Sequence, residues 1–269
     1  TDSLADVAAN AAVEGADITY GTMSATTKLN NNTQISTKGI QVSGTNDAVT
    51  SAGRNSELAY QVAKAAKELK RDMETALLSN VAKAAGNATT ARKLGGLPTW
   101  IATNVDAGSG GSGSGGGSGR TDGTQRAFTE DQLKGVLRSA FNEGGNPNMI
   151  MVDAFNKQKL SGFTGGSTRF DQAEDRRLVT SIDVYESDFG TLQVAPNRFI
   201  RGANSTAAKK GQDAYILEMD YFAVAFLRDF SLQNPAQTKD ADQRFMVTEY
   251  TLVSRNEKSS GMVTDLTTS

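Results

Sequence analysis

The chain has 269 residues, of which 38% are hydrophobic, and its 28 basic and 30 acidic residues leave a formal charge of -2. This composition is that of a globular protein with one large or two smaller cores, and the near-neutral balance argues against a surface built to neutralise nucleic-acid phosphates. Cysteine and histidine are both absent, which excludes disulfides, thiolate catalysis, sulfur- or imidazole-bound metals and a histidine proton shuttle.

The first 50 residues are polar, with few large apolar side chains spread among Thr, Asn, Ser and Gln. Extended patterning lies around Thr33–Ser43. Such a segment cannot bury a core of its own, so we predict a two-stranded excursion that lies on another surface, such as that of a neighbouring subunit. A flexible N-terminal region is the alternative.

A long helix is predicted from Ser56 to Ala85, with Gly86 as the residue just past its end. At ~1.5 Å per residue it would be roughly 45 Å long, which suits a structural scaffold. One apolar stripe runs along it at steps of three or four residues: Leu58, Val62, Ala65, Leu69, Met73 and Leu77.

The run Ala107–Gly119 consists almost entirely of Gly and Ser, a composition that predicts a flexible loop. It contains a formal GxGxxG pattern, but more Gly and Ser follow where a nucleotide-binding site would need a helix start. No GxxxxGK[ST] sequence is present, so the chain shows no phosphate-binding loop.

The following region predicts a helix, a strand and a second helix. Thr129 and Gln132 form a capping box before an apolar helical face that stops at Gly144 and Gly145. Met149–Val152 is a short apolar run typical of a buried strand, and Asp153 is placed to cap a helix from Ala154 to Leu160. These elements indicate an α/β layer.

The C-terminal part is predicted to be mainly sheet. Leu178–Tyr185 and Thr191–Ala195 read as a hairpin with a five-residue turn, and two longer strands follow at Tyr215–Leu227 and Phe245–Val253. The residues after Arg255 are polar and are expected to fray. Together with the helices, these strands predict an α+β fold.

Side chains suited to catalysis are few. Asp171, Glu174 and Asp175 lie in sequence beside three arginines, and Asp240 and Asp242 precede Arg244, which indicates solvated charge clusters more than acid–base or metal sites. Lys209 and Lys210 fit a mobile basic loop, because no activated-nucleophile pattern surrounds them. We assign no catalytic, cofactor-binding or metal-binding residue. No run of about 18 apolar residues is present, so no membrane span is predicted.

Four blocks of sequence together suggest a family. In chain order they are TDSLADVAANAAVEGADI, LNNNTQISTKGIQVSGTNDAV, GRNSELAYQVAKAAKELKRDMETALLSN and FTEDQLKGVLRSAFNEGGNPNMIMVDAFNKQKLSGF. This series resembles the major capsid proteins of tailed bacteriophages, which have the Hong Kong 97-like fold. The resemblance covers nearly the whole chain and carries no catalytic signature.

The resemblance implies an α+β capsid fold with an extended loop, a long spine helix, a peripheral-domain sheet and an α/β axial domain. Residues 1–50 are then the extended loop, which reaches across an adjacent subunit with Lys28, Gln34 and Lys38 as contact candidates. The implied domains are a peripheral domain of residues 51–96 and 178–269, with its spine helix at 56–85, and an axial domain of residues 97–177, with residues 107–119 as an exposed or pore-facing loop.

The implied function is that of a structural subunit that self-assembles into the pentamers and hexamers of an icosahedral phage head. The head would enclose DNA by proximity, without sequence-specific binding, and portal, scaffolding or decoration proteins are its possible partners. The protein would be made in the host cytoplasm and reside in the virion. Movement during shell maturation would use glycine hinges, for which the candidates are Gly53, Gly86, Gly95 and Gly96.

Some relatives join their subunits covalently through a Lys and an Asn. Lys38 lies in the extended loop, but no matching Asn and helper Glu can be assigned, so we predict no crosslink. Two other classes stay open: a bacterial compartment shell protein of the same fold, and a non-enzymatic binding or adhesin module that displays the Gly/Ser loop. An enzyme is the least supported class, because no general base titrates near neutrality unless a carboxylate or lysine is perturbed.

Overall fold

A computed structural model describes residues 9–18, 20–22, 28–49, 56–163, 184–200, 212–236 and 239–268. The chain divides into two units, Thr1–Asn30 and Asn31–Ser269. In the first unit the described residues form no helix or strand, apart from a turn in which Ala16 N–H donates to the Val13 carbonyl. Every regular element described below belongs to the second unit.

The described residues of the second unit form four α-helices and nine β-strands. The helices are α1 (Gly44–Ala48), α2 (Glu57–Leu78), α3 (Glu130–Asn142) and α4 (Ala154–Ser161). The strands are β1 (Gln34–Ser43), β2 (Val105–Asp106), β3 (Met149–Val152), β4 (Val184–Ser187), β5 (Gly190–Pro196), β6 (Ala214–Leu217), β7 (Phe222–Gln233), β8 (Ala241–Ser254) and β9 (Gly261–Val263). None of these helices is both long and apolar enough to cross a bilayer.

A three-stranded antiparallel sheet has the order β1-β8-β7 and carries α2 on one face. The predicted extended segment is present as β1 and pairs within its own chain, while its contact with a neighbouring subunit stays a prediction. All ten residues of β1 pair with β8 of the same chain, from Gln34 opposite Tyr250 to Ser43 opposite Ala241. Alternate β1 residues are covered by α2, which gives the segment the burial that its polar sequence cannot supply alone.

The spine helix is shorter than the predicted Ser56–Ala85. Ser56 caps its start by accepting a hydrogen bond from Ala59 N–H, and the helix ends at Leu78 because Ser79 turns to an extended conformation. The chain then runs beside Gly96, whose N–H donates to the Val81 carbonyl. These tertiary hydrogen bonds outweigh the helix propensity of residues 79–85.

A six-stranded mixed sheet has the order β2-β9-β6-β3-β5-β4. One face packs on α3 through Leu133, Val136 and Leu137. The opposite face packs on the C-terminal end of α2 and on residues 94–101. Because β6 lies in the middle of the sheet with both faces covered, all four of its residues are buried.

The helix–strand–helix region is confirmed. The capping box of α3 is present, with the Thr129 and Gln132 side chains each bonded to the other residue's backbone, and Asp153 caps α4 by accepting from Asn156 N–H at 2.9 Å. The hairpin of β4 and β5 is also present, although only Asp188 and Phe189 lie between its two strands. Residues 178–183 of the predicted hairpin lie outside the described residues.

Two sequence-based expectations are wrong. The predicted strand Tyr215–Leu227 is two strands in different sheets, because a 3₁₀ turn at Met219–Tyr221 separates β6 from β7. The expected frayed end after Arg255 instead holds β9, which is fully buried between β2 and β6. One sheet extends across residue 178, since β3 pairs with β5 and β6 on either side, and the division into domains stays a prediction.

Candidate subunit-contact site

The contact candidates on β1 face their own chain. Lys38 Nζ lies 3.1 Å from Glu68 Oε2 and 3.8 Å from Asp72 Oδ2 of α2, and it lines a polar groove of about 590 Å³ between β1 and α2. Gln34 lies on the same face, where its Oε1 accepts from Leu94 N–H at 3.4 Å. Both side chains therefore hold β1 in place, and a role between subunits stays a prediction.

The described part of the first unit exposes its large apolar side chains. Val13 is 80% exposed, Ile18 75% and Tyr20 87%, which is unusual for residues whose burial stabilises folded proteins. Lys28, the third contact candidate, is also exposed. Within its own unit this segment thus presents apolar and cationic groups to the surroundings.

The hinge candidate Gly86 lies eight residues beyond the end of α2, in a hairpin-like loop closed by the bridge between Ala84 and Lys93. Its backbone φ of +72° is one that residues other than glycine rarely adopt, and a Cβ there would come 2.7 Å from Arg92 N. The Asn87 side chain fixes the loop by accepting from Thr89 and Thr90 N–H. The glycine thus shapes a tight turn.

Gly95 and Gly96 are buried at a close approach of two chain segments. Gly95 N–H donates to Asn31 Oδ1 at 2.8 Å, and its carbonyl accepts from Trp100 Nε1 at 3.1 Å. A Cβ on Gly96 would come 2.0 Å from the Ser79 carbonyl oxygen. Such packing restrains both positions, so their hinge role stays a prediction, and Gly53 lies outside the described residues.

Strand β7 is the most exposed regular element and forms one edge of the three-stranded sheet. Its outer edge has no strand partner within the described ranges, so its backbone groups are available for pairing. Four large apolar side chains of β7 are at least 40% exposed: Val224, Phe226, Leu227 and Leu232. An edge of this kind is typical of a surface that is covered on association.

A buried carboxylate connects β7 to the rest of the second unit. Glu249 of β8 is 3% exposed and accepts from Thr33 Oγ1 at 2.7 Å, Arg92 Nη2 at 2.7 Å and Arg228 Nε at 2.9 Å. The hydrogen bond from Thr33 is the largest cause that lowers the pKa of Glu249, followed by the bond from Arg228, and together they outweigh burial. One ionised side chain thus joins β7, the loop after α2 and the segment before β1.

A second buried network centres on Arg120, whose side chain is 3% exposed. Its guanidinium lies 2.6 Å from Asp213 Oδ1, 3.2 Å from Asp265 Oδ1 and 3.1 Å from Asp122 Oδ1. The Tyr215 hydroxyl lies 3.2 Å from Asp213 Oδ2. The cluster holds the end of the Gly/Ser run against β6 and β9.

The two buried aspartates respond oppositely to their surroundings. Burial raises the pKa of Asp213, although Arg120 opposes that effect. Burial also acts to raise the pKa of Asp265, but N–H groups of Gly123 and Gly108 and the charge of Arg120 bring that pKa below its ordinary value. Asp265 is therefore the better stabilised anion.

The Gly/Ser run is an ordered loop in this structure, where a flexible coil was predicted. Gly108 N–H donates to Asp265 Oδ2, Gly117 N–H donates to the Thr99 carbonyl, and the Gly117 carbonyl accepts from Lys83 N–H. Gly108 and Gly117 are themselves buried. Glycine suits these positions because neighbouring backbone or side-chain atoms occupy the space of a Cβ.

The charge clusters considered for catalysis give no catalytic arrangement where they are described. Arg244 Nη1 pairs with Asp242 Oδ1 at 2.7 Å in a partly exposed pair. Residues 169–177 and the pair Lys209–Lys210 lie outside the described residues. Within the described ranges no group of three or more acidic side chains is arranged to hold a metal ion.

Comparison with known proteins identifies relatives. The family model described as SU10 major capsid protein matches residues 1–267. A major capsid protein of Escherichia phage Phieco32 is 45% identical over 84 residues, which are 31% of this chain and 24% of the relative. The chain thus aligns with about a quarter of the length of that curated relative.

Solved structures share the fold at low sequence identity. The satellite phage P4 procapsid protein has a TM-score of 0.54 and 10% identity, with 98% of this chain and 80% of that chain covered. A protein of Mycobacterium phage Bobi has a TM-score of 0.54 and 13% identity, with 89% of this chain and 73% of that chain covered. The SrpI encapsulin of Synechococcus elongatus has a TM-score of 0.53 and 9% identity, with 87% of this chain and 74% of that chain covered.

Proposed function

The chain belongs to the SU10 major capsid protein family and is a structural capsid subunit with the Hong Kong 97-like fold, and we propose that its copies self-assemble into the pentamers and hexamers of an icosahedral phage head. The family match over residues 1–267 is the observation that carries this proposal. The exposed edge of β7 supports it, because association of copies would cover that surface.

The head would enclose genomic DNA without reading its sequence, and portal, scaffolding or decoration proteins would bind it. The subunit would be made in the host cytoplasm and carry no enzymatic activity. Association through many modest contacts fits this role, because a shell must correct errors during growth and still be durable when complete.

The sheets support a revised division into domains. A peripheral domain would contain α2 as its spine helix together with β1, β7 and β8. An axial domain would contain the six-stranded sheet with α3, α4 and the Gly/Ser loop. The unit of residues 1–30, of which the described part including Lys28 is exposed, would lie on an adjacent subunit.

The assembly surface is tested by adding charge to β7. We expect Leu227→Glu to prevent shells in negative-stain electron microscopy, because Leu227 is 67% exposed and its burial on a second copy would desolvate the new carboxylate. Gln233→Glu adds the same charge at an exposed polar position of the same strand and should leave shells intact. Shells of normal yield from Leu227→Glu would exclude β7 as a contact, and absence of shells from the unmodified chain under all conditions would contradict the proposed function.

A bacterial compartment shell is the second candidate, favoured by the likeness to the SrpI encapsulin. Purified shells that contain a protein cargo and no DNA would support it. A stable monomer that binds an external partner would instead support a binding module.

A further inference from the structure

A cationic groove of about 400 Å³ lies between α2 and the segment that follows β5. Lys70 and Arg71 of α2 and Arg198 on the other side provide its charges, and all three side chains belong to exposed residues. The groove also contains one carboxylate, that of Glu74. The three cations and one anion give the groove a net positive charge, whereas the chain as a whole carries a formal charge of -2.

The carboxylates in and near the groove have hydrogen-bond or ion-pair partners other than its three cations. Glu74 Oε1 accepts from Asn197 Nδ2 at 2.8 Å. Glu68, which faces Arg71 at longer range, pairs with Lys38 and Lys64. Within the described ranges no carboxylate lies within 4.0 Å of the charged groups of Lys70, Arg71 or Arg198. The three cations thus have no direct ion-pair partner among the described residues, and the groove keeps a net positive charge with Glu74 included.

Two of the cations lie over aromatic rings. The Arg71 guanidinium carbon is 5.9 Å from the Phe199 ring centroid, and Lys70 Nζ is 5.8 Å from the Phe230 centroid. Cation–π contacts orient a charged group while leaving its N–H donors available to an external acceptor. The groove therefore presents positioned donors.

The sequence around Arg198 has the same charge bias. No acidic residue occurs from Phe189 to Gln212, a stretch of 24 residues that contains four basic ones. In a chain with more acidic than basic residues, this stretch of the sequence is locally basic. Arg198 lies in its described part.

We propose that the groove formed by Lys70, Arg71 and Arg198 binds the phosphate backbone of duplex DNA. This inference rests on the proposed function, in which the shell encloses DNA, and it names the surface that contacts it. Each strand of duplex DNA carries one charge per about 3.4 Å of the helix axis, so neighbouring phosphates of one strand can approach the cations that line the groove. The groove has no arrangement that would read base edges, so binding is independent of sequence.

The test measures binding of a 20-base-pair duplex of random sequence to the purified, unassembled chain over a range of NaCl concentrations. Each phosphate neutralised contributes about -0.9 to the slope of log K against log salt. The triple variant Lys70→Gln, Arg71→Gln, Arg198→Gln should therefore make the slope shallower by about 2.7 if each cation contacts one phosphate. The control variant Lys93→Gln, Arg138→Gln, Arg255→Gln removes the same number of positive charges from exposed positions elsewhere. It should change the slope by less than about 1.

Three results would overturn the proposal. Equal slopes for the two triple variants would show that DNA binds through diffuse charge. A slope unchanged by the groove variant would show that the groove does not contact DNA. Loss of shells in electron microscopy by the groove variant, with unchanged DNA affinity, would assign the groove to a contact between subunits. Failure of the proposed function is separate, because it appears as absence of shells from the unmodified chain.

Discussion

Replacing Arg120 by glutamine should destabilise the subunit more than any other single change of a charged residue described above. The guanidinium is the only cation within 4.0 Å of Asp213 and Asp265 among the described residues. Glutamine keeps a polar side chain of similar length but cannot neutralise two carboxylates. The variant therefore leaves two buried anions without a counter-charge.

The expected loss follows from that burial. Removing one partner of a buried ion pair costs about 3–5 kcal/mol, while the partly exposed contact with Asp122 adds less than about 1 kcal/mol. For a chain of this size a loss of 3–5 kcal/mol lowers the melting temperature by about 6–20 °C. The loss of stability in Arg120→Gln should become smaller as pH falls. Removal of Arg120 raises the pKa of both Asp213 and Asp265, and protonation of these carboxylates then removes the uncompensated charge.

Urea unfolding of the unassembled subunit, followed by tryptophan fluorescence, measures this effect. Trp100 is the single tryptophan and is buried beside the C-terminal end of α2, so its emission reports on the second unit. Arg138→Gln, at an exposed position of α3, is the matched control and should change stability by less than about 0.5 kcal/mol. Adding Asp213→Asn to the Arg120 variant should recover part of the loss. A loss below about 1 kcal/mol for Arg120→Gln at pH 7 would refute the assignment of these ion pairs as major stabilising contacts.

Two further substitutions test the packing and the second network. Gly96→Ala should lower the free energy of unfolding by about 2 kcal/mol or more, because its Cβ would overlap the Ser79 carbonyl. The control Gly39→Ala has open space around its Cβ and should change that free energy by less than about 0.5 kcal/mol. Equal urea midpoints for the two variants would contradict this packing. Glu249→Gln should cost about 1.5–3 kcal/mol at pH 7. Since the folded pKa of Glu249 is lowered, its contribution is complete above its ordinary value of 4.5 and is lost as pH falls through the folded pKa. Denaturation at pH 7 and pH 3 should thus show a smaller loss of stability at pH 3 than at pH 7, and an equal loss at both would point to packing instead of charge.

Local signals predicted the elements that have a local sequence pattern. The capping box at Thr129 and Gln132, the Asp153 cap and the alternation of β1 all depend on residues close in sequence, and all three elements are present. The family resemblance rested on ordered blocks of such elements. It is confirmed by the family match and by the fold of the solved relatives.

These local signals could not predict contacts between residues that are distant in sequence. Arg120 is 93 residues from Asp213 and 145 from Asp265, and no periodicity links them. A single arginine that ends a long Gly/Ser run was the one available hint of an anchored loop. Similarly, β9 is only three residues long and polar residues flank it, so its burial depends on β2 and β6 and not on its own composition.

The position of β9 has a consequence for how the subunit matures on the ribosome. Among the described strands it is the last to be synthesised, yet it lies between β2 and β6, and its neighbour Asp265 secures Arg120. A nascent chain halted before Gly261 would leave β6 with an open side and the Gly/Ser loop unanchored. Completion of the larger sheet therefore has to wait until residues 261–263 have been synthesised.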